Sequence, residues 1–133
     1  MANQETLTAW VEVGGLRFTL EYRVFRGDCG PAIRVWGEES GRWVQALRFD
    51  CFVRDPHYHY DPDGRNIQLH LHPETVPDPL AWSIGELQLN LRPMLRAAGY
   101  PELAEHVDVT AIAEALPQMR ATLEQLKARA TTA

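Results

Sequence analysis

The chain has little cysteine, a single lysine and no long apolar run, and each shortage narrows what it can be. Cys29 and Cys51 fall in different predicted elements at no metal-ligand spacing. They read as reduced thiols of a reducing compartment, with Cys51 buried, and not as a disulfide or metal staple. No stretch approaches the roughly 18 apolar residues of a membrane span, and the opening MANQETLTAW has no cationic segment leading into an apolar one. Together these predict a cytoplasmic protein without membrane contact. Consecutive lysines or arginines are missing too. With a net charge of −5, that argues against non-specific nucleic-acid binding, which needs clustered cations to neutralise phosphates, while leaving room for a local basic patch. Of the 13 cationic side chains only Lys127 is a lysine, a bias expected of a GC-rich bacterial genome. Finally, no G-x-G-x-x-G, Walker or H-E-x-x-H pattern occurs: Cys29 in GDCGP is a turn residue, and Gly14-Gly15 joins a hairpin instead of cradling phosphate. Without a catalytic motif, the default reading is a non-enzymatic binding or interaction module.

What is present suits one folded domain over residues 1–133. Apolar residues make up 45% and charged residues 23%, ordinary globular usage that can bury a core unaided. Leu7, Ala9, Val11 and Val13 alternate with polar neighbours, as do Leu16, Phe18, Leu20 and Tyr22, which predicts two strands joined at Gly14-Gly15. A two-residue loop sets Val13 opposite Leu16, Val11 opposite Phe18, Ala9 opposite Leu20 and Leu7 opposite Tyr22. Glu12 then meets Arg17, and Thr8 meets Glu21, on the other face. After a turn-rich stretch, Arg26 to Pro31, Ile33 and Val35 mark a third strand, and Gly37 to Arg42 reads as another turn. A fourth strand follows with Leu47, Phe49, Cys51 and Val53 inward and Arg48 and Asp50 outward, and Ile67 to His72 is the fifth.

The sheet should therefore occupy residues 1–72, a proline-rich connection 73–79, and helices 80–130. Ser83 and Glu86 have capping-box spacing, and Leu80, Ile84, Leu87, Leu91, Met94 and Ala98 form one helical face that Pro93 bends or divides and Gly99 ends. Pro101 suits the first turn of a short helix to about His106. The last helix carries the stripe Ile112, Leu116, Met119, Leu123 and Leu126 through Pro117 without loss of phase, and should fray from Ala128. The fold class is thus α+β: an antiparallel meander of about five strands with one face covered by two longer helices and a short one. The leucine stripes read as core, and such a face also suits a homodimer seam.

The unusual chemistry lies in Asp55 to His72. Two His-x-His pairs, His57/His59 and His70/His72, flank the turn Asp61-Pro62-Asp63-Gly64. Residues two apart in a strand share a face, so His57, His59, His70, His72 and Asp55 become candidate ligands for zinc, iron or manganese. Convergence depends on register. A two- or four-residue loop puts Asp55, His57 and His59 on one face with Asn66, Gln68, His70 and His72, and Tyr58, Tyr60, Ile67, Leu69 and Leu71 on the other. Turn chemistry and core continuity favour a three-residue Pro62-Asp63-Gly64 loop instead, with His57 and His59 facing the core and His70 and His72 facing away. A bulge at Pro56 would restore the clustered arrangement. Two further readings use the same region. One is a metal-free nuclease or other acid–base hydrolase with His57 or His59 as base and Arg54 or Arg65 stabilising phosphate. The other is a ligand platform of Tyr58, Tyr60 and the four tryptophans, against which ordinary sheet packing of aromatics is the plainer account.

Overall fold

Alternating apolar residues build the first hairpin in the expected register. In the computed structural model, which describes residues 7–132, β1 (Leu7–Val13) pairs antiparallel with β2 (Leu16–Phe25), Val13 opposite Leu16 and Leu7 opposite Tyr22. The leader reading of Met1 to Thr6 lies outside the described residues. Gly14 and Gly15 both take left-handed backbone angles, as do Arg26-Gly27 and Ser40-Gly41. These three pairs make two-residue turns whose twist matches that of the strands they join. They connect β2 to β3 (Asp28–Glu39) and β3 to β4 (Arg42–Asp50), so most of the expected turn-rich stretch from Arg26 to Pro31 is already strand.

The sheet then departs from the five-strand expectation. β4 stops at Asp50 instead of running on through Val53, which is 71% exposed. Residues 51–56 turn back, and His57–Tyr60 forms a separate strand, β5, paired on β4, with β6 (Ile67–His70) completing the sheet. The order β1-β2-β3-β4-β5-β6 makes a six-stranded antiparallel meander.

One face carries Leu16, Phe18, Leu20, Ile33, Val35, Leu47 and Phe49, all buried under the helices. α1 (Pro79–Leu89) starts earlier than the capping-box spacing suggested: Asp78 is the cap, its carboxylate accepting from the Ala81 N–H, and Pro79 occupies the first helical position. Ser83 lies inside the helix, its hydroxyl donating to the Pro79 carbonyl. Asn90 divides the leucine face into α1 and α2 (Leu91–Ala97), with Pro93 in the first turn of α2, where it removes no helical hydrogen bond. α3 (Pro101–His106) leads to α4 (Val109–Thr131), which Asp108 caps and which continues through Pro117 to Thr131, past the point where fraying was expected. Its expected stripe is buried in full and lies across β1, β2 and β3. Among the described residues no helix is long and apolar enough to cross a membrane.

Candidate functional site

The face of the sheet away from the helices holds the chemistry, and two loops of even length put it there. Opposed residues in an antiparallel pair share a face. Asp50 is opposite His57, and His57 is opposite His70, because 51–56 and 61–66 are connections of six residues each. The favoured three-residue turn is therefore corrected. Asp61 and Asn66 adopt left-handed angles, and the Asp61 carbonyl accepts from the N–H groups of both Gly64 and Asn66, closing a wider loop. Its parity equals that of the two- and four-residue alternatives, so His57 and His59 turn away from the core and share a side with His70. Tyr58 and Tyr60 take the helix side, where Tyr58 packs on Phe49 and Trp82.

Asp50 is the centre of the cluster, 1% exposed. Its Oδ1 accepts from Arg23 Nη1 at 2.8 Å; Oδ2 accepts from Arg48 Nε at 3.1 Å and lies 3.1 Å from His57 Nε2 and 3.3 Å from His59 Nε2. Burial opposes ionisation of this carboxyl, but the hydrogen bond from His57 and the charges of Arg48 and Arg23 outweigh it and hold the group far below the usual carboxylate range. Glu21, also buried, pairs with Arg34 at 2.8 Å, so the face is a ladder of matched charges. No buried side-chain nitrogen or oxygen among the described residues lacks a partner.

The histidines differ in what they touch. His57 has an oxygen acceptor at each ring nitrogen, the Asp55 main-chain carbonyl 2.7 Å from Nδ1 and Asp50 at Nε2. Burial disfavours its charge, but these two acceptors raise its pKa above the ordinary histidine value, because both N–H groups of the cation are then satisfied. His59 has the Asn66 side-chain oxygen 2.7 Å from Nδ1, and its Nε2 faces both Arg48 Nη2 at 3.0 Å and Asp50 Oδ2 at 3.3 Å. His70, exposed, places Nδ1 2.7 Å from Asp55 Oδ1. His72 lies beyond the end of β6 and belongs to neither group of converging donors described below. Arg54 lines the cleft over this face, whereas Arg65 reaches the other way, to Asp61 and the Ala97 carbonyl.

Among the described residues two sets of donor atoms converge within 4.8 Å: Asp50 with His57 and His59, all buried, and the buried His57 with the exposed Asp55 and His70. In the first, Arg48 lies 3.1 Å from Asp50 Oδ2 and 3.0 Å from His59 Nε2 and would set a guanidinium against any ion. The second has no cation inserted in it. There Asp50 grips the far nitrogen of His57, the arrangement by which a carboxylate orients a metal-ligating imidazole. Sequence reasoning placed Asp50 on the outer face but missed it as the hub, along with Arg23 and Arg48. The available signal was alternation: Arg23, Arg48 and Asp50 all fall at outward positions of strands too apolar to leave a lone buried charge unpaired.

Fold and site together define an α+β antiparallel-sheet domain with a histidine, arginine and aspartate cluster on the side of the sheet opposite its helices. A family model described as Domain of unknown function (DUF7700) matches residues 10–123, from β1 into α4, and the chain belongs to that family. No curated protein and no solved structure matches the chain.

Proposed function

We propose that this domain is a metal-binding module that takes one divalent transition ion at the rim of the histidine face, through His57 Nδ1, His70 Nδ1 and the Asp55 carboxylate. The observation that carries the reading is the pairing of His57 directly across from His70, with Asp55 between them and the buried Asp50 fixing the other side of the His57 ring. Two imidazoles and one carboxylate suit zinc, iron or manganese, and the solvent-facing side leaves room for water as further ligand. His57 must release its Nδ1 proton to coordinate, so binding is coupled to proton release and strengthens with rising pH.

Metal analysis of the purified protein and calorimetric titration with zinc test this. One ion per chain is expected, with affinity reduced at least about tenfold in His57→Ala, His70→Ala and Asp55→Asn and unchanged in His72→Ala. Zinc binding that survives both His57→Ala and His70→Ala would sink the reading.

A further inference from the structure

A cleft of about 530 Å³ opens over the same face, between the β2–β3 turn and the 51–56 connection. We infer that it is a second binding site, for a small organic molecule carrying an oxyanion, phosphate or carboxylate, gripped between Arg26 and Arg54. The volume falls in the range of small-molecule sites.

The acids lining the cleft are already committed. Asp28 accepts from the main-chain N–H groups of Cys29 and Arg54 through Oδ1 and of Asp55 through Oδ2. Asp50 is held at the floor by Arg23 and Arg48, and Asp55 by His70. Those two floor arginines are spent on Asp50. Arg26, in the β2–β3 turn, and Arg54, in the 51–56 connection, are exposed and form no ion pair among the described residues; the Arg26 guanidinium lies over the ring of Phe25, 5.1 Å from its centroid. Two uncompensated guanidiniums thus face one opening in a chain whose overall charge is −5. A planar guanidinium matches an oxyanion with two parallel hydrogen bonds.

Two further features fit a ligand with a carbon skeleton. Phe25, 46% exposed, and Phe52 supply an apolar wall in the otherwise charged cleft. Arg26 also occupies a left-handed turn position, φ 50°, where asparagine or glycine is the ordinary residue. A long cation thus stands where the backbone does not favour it. Asp55 and His57 line the same cleft, but neither Arg26 nor Arg54 belongs to the proposed ligand set, so the two proposals can be tested separately.

Chelator-treated full-length protein is titrated with pyrophosphate and, separately, with citrate at constant ionic strength, following backbone amide NMR signals, with sodium chloride as reference. Saturable shifts centred on Phe25, Gly27 and Arg54 are expected. Tighter pyrophosphate binding assigns a phosphate ligand, and tighter citrate binding a carboxylate. The double variant Arg26→Asn/Arg54→Gln suits the left-handed turn and an exposed position, so it should fold, and its affinity should drop about tenfold or more. Shifts that track ionic strength alone, or equal affinity in the double variant, overturn the inference. A zinc titration of the same variant keeps the two proposals separable, because metal binding there should equal that of the parent.

Discussion

At the scale of single residues, Asp50 matters most. It is buried with partners of opposite charge, so removing its charge leaves guanidiniums and an imidazole without a counterion, a more damaging change than losing one hydrogen bond. Asp50→Asn should destabilise the protein by about 3 kcal/mol in urea unfolding, whereas Glu12→Gln, which breaks the exposed pair with Arg17, should change it by less than about 1 kcal/mol. The same cluster sets a pH dependence in metal-free protein. The pKa of Asp50 is lowered by folding, so its contribution is present above about 4 and lost as pH falls. The pKa of His57 is raised, so its contribution is complete below about 6.5 and lost as pH climbs through the raised value. Stability should therefore decline on both sides of a mildly acidic maximum, and His57→Gln should flatten the alkaline side and, because His57 helps to hold Asp50 ionised, soften the acid side as well. A variant profile that falls as steeply above 6.5 as the parent's would contradict this assignment.

At the scale of elements, the first hairpin is tied to the last helix. The Gly14 carbonyl accepts from the Asp108 N–H, at the start of α4, and a Cβ at Gly14 would lie 2.6 Å from Ile112 Cγ1 and 2.7 Å from the Asp108 carbonyl oxygen. Gly41 has a similar backbone angle but nothing within 4 Å. Gly41→Ala should thus show the left-handed penalty alone, about 1 kcal/mol, and Gly14→Ala that penalty plus overpacking, about 3 kcal/mol in total, by denaturant unfolding. Equal losses would mean that α4 gives way freely. The β5–β6 loop is anchored similarly, since Tyr100 donates to Asp61 Oδ1 at 2.6 Å and links the histidine hairpin to the start of α3. Burial and that hydrogen bond push the Tyr100 hydroxyl up to about 12.

At the scale of the whole molecule, the core isolates one thiol and leaves the other within reach. Cys51 is 5% exposed, sits 3.4 Å from the Ser83 hydroxyl, and burial raises its pKa to about 12, so its reactive thiolate is scarce until the fold opens; Cys29 is half-buried. A thiol reagent should modify one cysteine of the native protein promptly and the second only at the rate of unfolding. Zinc, if bound as proposed, should raise global stability by about 2.7 kcal/mol at a hundred times its Kd, an increase absent in His70→Ala.

Local patterning determined much of this molecule. Period-two alternation and Gly14-Gly15 specified the first hairpin to the residue, and the leucine spacing specified the buried stripe of α4, because each depends on contacts between near neighbours in the chain. The side on which His57 and His59 emerge was settled only in three dimensions. It follows from where β4 ends and how many residues turn at 51–56 and 61–66, and those depend on pairing between strands and on anchors as distant as Tyr100. Turn propensity in Pro62-Asp63-Gly64 favoured a tighter loop, but the register that loop implies would have turned His57 and His59 towards the core and Tyr58 and Tyr60 away from Phe49 and Trp82. Packing of Tyr58 under the helices outweighed the preference of the turn.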